Sequence, residues 1–336
     1  MGVSLRVAEM PTKVRRALAS RRLFDNWFPL LIRYILTRLG FNVKLMARIG
    51  DCTFELSPET FERLVSRFSR GFIKSIECVN GKLLVNVVEV NRIDDVIRDT
   101  ETWAKVLGWD YDTVGGFWFK GNAKFRHMRG TILGIFECSE TISGIFNYSE
   151  YALLDVKGKD VVDVGAFIGD SAIYFALKGA KKVFAVEPHP GAFAEMLDNI
   201  RLNNMENMII PINAGLASKP GKICIENVDT SNTFAIYHRP SDCSNAVPVV
   251  TLSELISRFG INVDDAVLKM DCEGCEFDVI LNDYDHVRLF RELILEYHPR
   301  SVNKSLNDLL KVLGNDYKCD IRGNEDVGIM QCTRKW

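Results

Sequence analysis

The chain has 336 residues, 47% of them apolar and 26% charged, enough for a sizeable core and more than one average domain. Its 42 Lys and Arg against 44 Asp and Glu leave a net charge of −2, which gives no reason to expect a polyanionic partner for the molecule as a whole. The longest apolar stretch, Trp27 to Leu36, is broken by Pro29 and Arg33 and falls short of the roughly 18 residues that span a bilayer, so no transmembrane segment is expected.

Charge is unevenly spread. Residues 1–50 hold ten Lys and Arg against Glu9 and Asp25, a local +8, while the remaining 32 basic and 42 acidic residues sum to −10. Residues 12–40 predict helix, with Val14, Leu18, Leu23, Phe28, Leu31, Ile35 and Leu39 recurring among arginines. A basic amphipathic stretch of this kind suits contact with anionic lipid at a membrane surface, nucleic acid or an acidic partner. Helices that pack onto their own domain read the same way and are commoner. The first residues lack the pattern of a secretory signal, and the nine cysteines stand singly apart from Cys272 and Cys275. A reducing cytoplasm is therefore expected, with cysteines as small core residues and membrane association left open.

A small β-rich region follows. Phe41–Arg48 and Cys52–Leu56 flank Gly50-Asp51, a helix is expected over Pro58 to Ser69, and Ile76–Val79 and Leu83–Val90 flank the hairpin signal Asn80-Gly81. Residues 92–125 are aromatic and glycine-bearing and read as a linker or lid.

From about Gly158 the pattern changes to strands alternating with helices. Strands are expected at Val161–Val164, Lys182–Val186, Met208–Ala214, Ala266–Met270 and Leu293–Tyr297, with helices near 170–179, 190–203, 251–259, 276–283 and 300–313. Such alternation means a parallel sheet. Tyr317–Ile321 and Gly328–Thr333 are joined by a short polar turn and should pair antiparallel, and Lys222–Glu226 with Val247–Val250 reads as an extra hairpin. Two regions are expected: an N-terminal α+β extension over 1–140 and an α/β, Rossmann-like domain over 141–336.

The stretch Val161-Val-Asp-Val-Gly-Ala-Phe-Ile-Gly-Asp170 carries the most chemical information. A buried strand runs into a tight turn with Gly165 and Gly169, and a helix opens at Asp170-Ser171, the usual ligand position of an open α/β sheet. A dinucleotide site needs a second glycine where Phe167 stands, so a pyrophosphate is disfavoured on this loop. The D-x-G-x-x-x-G spacing suits S-adenosylmethionine, which has no phosphate. Backbone near Gly165 and Ala166 would approach its amino-acid part, and Asp163 would accept around its ammonium. Glu187-Pro188 ends the second strand, where an acid can accept both ribose hydroxyls. Asn213-Ala214 ends the third, where a small polar residue can meet the adenine edge.

These residues resemble the FkbM family of methyltransferases. The likeness rests on Val162-Asp-Val-Gly-Ala-Phe-Ile-Gly-Asp-Ser171, Ala185-Val-Glu-Pro188, Asn213-Ala-Gly-Leu216 and Leu268-Lys-Met-Asp-Cys-Glu-Gly-Cys-Glu276, and it covers about residues 145–300. It implies a class I, seven-stranded methyltransferase sheet, mostly parallel with an antiparallel last strand. It also implies methylation of hydroxyl groups on sugars, glycans, polyketides, lipid-linked intermediates or other small molecules.

Asp271-Cys-Glu273 falls at the end of the fourth strand, where the transferred methyl should sit. Asp271 is a candidate for cofactor or acceptor contact and Glu273 for orienting the acceptor hydroxyl, although Glu273 and Glu276 equally suit capping of the next helix. His298 ends the fifth strand beside Glu296 and is a candidate base, since an unperturbed imidazole titrates near neutrality. A hydrogen-bonded rim histidine is the other reading. The other histidines (127, 189, 238, 286) form no metal spacing with acids or cysteines. Cys272-Glu-Gly-Cys275 has no second C-x-x-C to complete a zinc site, and its flanking acids blunt a redox role, so no metal is expected. Asp271-Cys-Glu-Gly stands where a nucleic-acid N-methyltransferase would carry an N/D-P-P-Y/F element, which favours an oxygen acceptor over RNA. An RNA methyltransferase, a nicotinamide oxidoreductase and a non-catalytic cofactor-binding scaffold are the competing readings.

Overall fold

A computed structural model describes residues 19–126, 142, 144–147, 150–225, 236–237 and 246–335. By internal packing the chain divides into two units, Met1–Asp110 and Tyr111–Trp336.

In the first unit the expected long basic helix is interrupted. Helical residues 19–23 end at Phe24, and a second helix runs Trp27–Arg38; residues 12–18 of the expectation lie outside the described residues. The break has a local cause. Asp25 Oδ2 accepts from Gly50 N, and Asn26 exchanges hydrogen bonds with Arg48 N and Met46 O. These bonds fasten the break to the antiparallel hairpin Leu45–Ile49/Cys52–Leu56. Helix Pro58–Ser69 starts where expected, with Ser57 accepting from Thr60 N and Pro58 in the first turn.

Asn80 (φ 53°) and Gly81 (φ 76°) form a tight turn between Ile76–Val79 and Lys82–Val85. The single strand expected over Leu83–Val90 is instead two, Lys82–Val85 and Val88–Val90, folded back at Asn86-Val87. The Asn86 side chain holds this turn, accepting from Lys74 N and donating to Phe72 O and Val106 O. Residues 92–125 are not a bare linker. Helices Asp95–Arg98 and Thr100–Val106 belong to the first unit, where Trp103 and Trp109 are buried and the Arg67 guanidinium stacks 3.9 Å above Trp103.

The hairpin Phe117–Lys120/Ala123–Phe125 belongs to the second unit. Asn203 clamps it by exchanging hydrogen bonds with the Lys124 backbone. The unit is built on a seven-stranded sheet whose strands, in chain order, are β1 (Asp160–Val164), β2 (Lys182–Val186), β3 (Ile209–Ile212), β4 (Ala266–Met270), β5 (Glu292–Tyr297), β6 (Tyr317–Gly323) and β7 (Gly328–Arg334). Their spatial order is β3-β2-β1-β4-β5-β7-β6. Neighbours from β3 through β5 run parallel, and β7 is antiparallel to both β5 and β6.

This is the α/β, Rossmann-like sheet expected from the sequence. β1 and β4 are buried along their whole length, as strands covered on both faces must be. Phe277, Ile280, Leu309 and Leu313 from the helices join the β-strand residues in the core. The strand order reverses between β1 and β4, so the crevice for a ligand opens at their carboxyl ends.

A smaller sheet holds the extra hairpin, with Gly221–Ile225 antiparallel to Ala246–Val250; Glu226 lies outside the described residues. The helix expected over 300–313 is a 3-10 turn at Pro299–Val302 followed by helix Leu306–Leu313, with Asn303 left-handed between them (φ 51°).

The cysteines overturn the expectation of free core thiols. Cys52–Cys78, Cys272–Cys275 and Cys319–Cys332 are disulfides, and Cys224 is disulfide-bonded as well. Sequence spacing hides two of these pairs. Cys319 and Cys332, for instance, become neighbours only through the register of β6 and β7. Among the described residues no helix is long and apolar enough to cross a membrane.

Candidate functional site

At the end of β1 the chain turns through Gly165 (φ 73°), Phe167 (φ 45°) and Gly169 (φ 86°) into helix Asp170–Leu177. A Cβ on Gly165 would lie 1.7 Å from the Asp271 carbonyl oxygen, so only glycine lets the turn meet the end of β4. Gly165 N and Ala166 N donate to Val186 O, and Asp271 N donates to Val164 O. Three strand ends are thereby fixed to one another.

Beneath the turn lies a buried ion pair, Lys269 Nζ 3.0 Å from Asp163 Oδ1. Lys269 also donates to Val164 O and Gly165 O, and Ser171 Oγ donates to Asp163 Oδ2. Both Asp163 oxygens are therefore engaged from within the protein. Asp170 is buried at the head of its helix, and burial lifts its carboxyl to about 6.

Glu187 ends β2. Its two oxygens accept from His189 N and Phe167 N at 2.8 Å each, and burial still pushes its carboxyl up to about 7. Asn213, after β3, donates to Glu187 O and, at 3.4 Å, to Pro188 O, tying the second and third strand ends together. Ala214 is buried beside it.

The structure brings Asp271, Glu273 and His298 together. Their ligand atoms lie within 4.8 Å of one another. His298 Nε2 stands 3.7 Å from Glu273 Oε2 and 3.6 Å from Glu296 Oε1, while Nδ1 is 3.6 Å from Glu276 Oε1. Burial opposes charge on this imidazole, but the carboxylates of Glu276, Glu296, Glu273 and Asp271 outweigh it and raise its pKa to about 11. The surrounding carboxylates thus favour the imidazolium over the neutral base read from the sequence. Burial, then the neighbouring Glu296 charge, raises Asp271 well above the ordinary carboxylate range. Burial also raises Glu273, against the pull of His298. Glu273 sits at φ 56°, a left-handed conformation that costs a non-glycine residue about 1–3 kcal/mol and is concentrated at functional sites.

Four further residues belong to this constellation. Glu276 is fully buried and accepts from His298 N and Gly274 N, linking the β4 loop to the end of β5. Its place in a helix's first turn suggested only a cap. Lys269 could have been flagged as the one charge within the apolar run Ala-Val-Leu-Lys-Met. Glu150, raised to about 7 by burial and by Glu296, and Tyr151, raised by burial and by Asp271, gave no signal in the sequence. His189 caps its own helix through Ala192 N and His286 pairs with Asp283, while His127 and His238 lie outside the described residues. Cys272, Cys275 and Glu276 are also close enough to share an ion, but the two sulfurs are joined and offer no thiolate.

These residues fit a cationic cofactor. Asp163, Asp170, Glu187 and Asp271 surround the strand ends with carboxylates, and the buried lysine among them is committed to Asp163. Asp170 and Glu187, lifted to about 6 and about 7, keep partial negative charge there, which disfavours a pyrophosphate and suits the sulfonium and ammonium of S-adenosylmethionine. Phe167 further occupies the position where a phosphate loop needs glycine.

Residues 163–319 match the family model of the methyltransferase FkbM domain. An uncharacterized protein of Sulfolobus islandicus rod-shaped virus 1 is 28% identical over 163 residues, which are 48% of this chain and 74% of the viral protein. The tRNA (guanine(37)-N(1))-methyltransferase Trm5b of Methanocaldococcus jannaschii is 28% identical over 145 residues, 42% of this chain and only 37% of that enzyme. Among solved structures, TrmK of M. capricolum with S-adenosyl-homocysteine aligns at a TM-score of 0.35 and 13% identity. That alignment covers 56% of this chain and 68% of the other, a likeness too low to bear on function.

Proposed function

We propose, on the premise that residues 163–319 form an FkbM-family domain and that the chain is a class I S-adenosylmethionine-dependent methyltransferase, that it methylates a hydroxyl oxygen. The acceptor class is a sugar, glycan, lipid-linked intermediate or other small molecule. The observation that carries this reading is the meeting of Asp271 and Glu273, from the end of β4, with Glu296 and His298, from the end of β5.

S-adenosylmethionine supplies, when bound, a methyl carbon activated by a positively charged sulfur. The chain must hold an acceptor oxygen in line with that carbon, which can contribute about 7–11 kcal/mol. As the C–O bond forms and the C–S bond breaks, the hydroxyl proton needs a destination. Glu273 suits it: a carboxylate raised toward neutrality is a stronger base than an ordinary one. His298, whose pKa the surrounding carboxylates hold high, suits that role less well than Glu273. It holds Glu273 and Glu296 in place and offsets their charge. Asp163, Gly165, Ala166, Gly169, Asp170, Ser171, Glu187, Pro188, Asn213, Ala214 and Asp271 are assigned to the cofactor.

RNA is the second reading, favoured by the partial identity to a tRNA methyltransferase. Carboxyl groups rather than a row of cations gather at Asp271, Glu273, Glu296 and Glu150, a lining that does not favour a polyanion. Incubating the full chain with methyl-labelled S-adenosylmethionine, hydroxylated sugar and lipid-linked acceptors, and total tRNA separates the two. Label should enter an oxygen, and Glu273→Gln should lose about 100-fold or more in rate while retaining cofactor binding. Label in an RNA base, or an unchanged rate in Glu273→Gln, would refute the assignment. Cofactor binding without turnover on any acceptor would leave a cofactor-binding scaffold, and turnover kept by both Asp271→Ala and Glu273→Ala would remove those two residues from catalysis.

A further inference from the structure

We propose that the outer face of helix Trp27–Arg38 docks on an anionic lipid surface. Phe28, Ile32, Ile35 and Leu39 are spaced four, three and four residues apart, which stacks them on one side of the helix. They are 56%, 44%, 49% and 68% exposed, and Phe41, just beyond, is 60% exposed. Leu30, on the opposite side, is fully buried. The helix is thus apolar on both faces. One packs into its own unit and the other is turned to solvent, where a soluble protein would place polar side chains.

The charges name the partner. The helix contains no acidic residue, and helical spacing sets Arg33 on one flank of the apolar stripe and Arg38 on the other. Described residues 19–50 hold Arg21, Arg22, Arg33, Arg38, Lys44 and Arg48 against Asp25, six minus one or +5. Arg38 pairs with Glu62 and Lys44 with Glu55. Among the described residues no carboxylate pairs with Arg21, Arg22 or Arg33. Apolar side chains between flanking arginines, with Trp27 and Phe28 at one end, are the arrangement that lies in a bilayer interface: the stripe enters the acyl boundary and the guanidinium groups stay among the headgroups. A lipid surface needs no shape complementarity, and a convex helix face presents none.

The inference is independent of the methyl acceptor. Its test is sedimentation of the full chain with vesicles of phosphatidylcholine alone and of phosphatidylcholine with phosphatidylglycerol in equal parts. Binding should be at least tenfold stronger to the anionic vesicles and weaken with salt. The triple variant Ile32→Ser/Ile35→Ser/Leu39→Ser should lose at least tenfold while keeping its circular dichroism and cofactor affinity. Arg33→Glu, which leaves the apolar stripe intact, should lose several-fold and keeps the test valid if the triple variant misfolds. Equal binding by wild type and variants, or none to anionic vesicles, overturns the proposal. So does a dimer in light scattering that the triple variant dissociates, which would give the face to a second copy.

Discussion

Lys269 Nζ lies 3.0 Å from Asp163 Oδ1 with both side chains buried, so the charge under the cofactor turn is balanced inside the protein. Removing one partner leaves the other charge buried and alone, which typically costs about 3–5 kcal/mol. Lys269→Met should therefore destabilise the second unit by that order in urea unfolding and abolish cofactor binding in calorimetry. Adding Asp163→Asn should recover part of the stability. A Lys269→Met protein as stable as wild type would show that the pair contributes nothing.

Gly165 and Gly169 both have positive φ, yet their substitutions should differ. A Cβ at Gly165 would strike the Asp271 carbonyl at 1.7 Å, whereas one at Gly169 meets the Met196 Cγ at 2.9 Å, which can move aside. Gly169→Ala should cost about 1–2 kcal/mol from left-handed strain alone. Gly165→Ala must also separate β1 from β4, so it should melt several degrees lower and bind cofactor at least tenfold more weakly. Equal melting temperatures for the two variants would contradict the close approach.

Glu187 makes stability depend on pH. Burial lifts its carboxyl from 4.5 to about 7, so between those values the folded protein keeps a proton that the unfolded chain releases. Its contribution is complete below about pH 4.5 and declines as pH rises toward 7. Glu187→Gln cannot titrate. The unfolding free energy of wild type minus variant should fall by up to about 3 kcal/mol from pH 4.5 to 7.5 and then level off. A flat difference across that range counts against a buried, protonated Glu187.

His298 should be an imidazolium at pH 8 by nitrogen NMR, because Glu276 and Glu296 hold its pKa near 11. The stability it contributes is whole below about pH 6.5 and is lost as pH rises through about 11. Glu276→Gln should bring the titration down toward neutrality. A neutral ring at pH 8 in the wild type would return His298 to the role of base.

Cys52–Cys78 closes a loop of 26-residue separation, for which chain entropy gives about 3–4 kcal/mol. Cys78→Ser should raise hydrogen exchange across residues 45–90 and leave the second unit's protection unchanged. Unaltered exchange in the first unit would mean that the crosslink adds no stability there.

The parallel strands and the turn from Asp163 to Ser171 were legible because buried strands read as short β-branched runs and the turn requires glycine. Harder features depended on approach in space. Glu150 and Tyr151 stand far from Asp271 in the chain, and Cys319 finds Cys332 only through strand register. Asn86-Val87 broke an apparent strand because the Asn86 side chain substitutes for ladder partners, a choice that composition does not reveal. His298 was identified as a residue of interest, but its charge state is set by Glu276 and Glu296, whose orientation emerges only after folding.

The position of β7 governs how the protein must be made. The last strand in sequence lies between β5 and β6, so the six residues Glu292–Tyr297 present an unpaired edge until Gly328–Arg334 have been synthesised. Until β7 arrives the nascent chain therefore carries an open β5 edge and a β6 with no place in the sheet, and that edge can accept a strand from another chain. Exchange of β7 between two chains is the misfolding route this topology makes available.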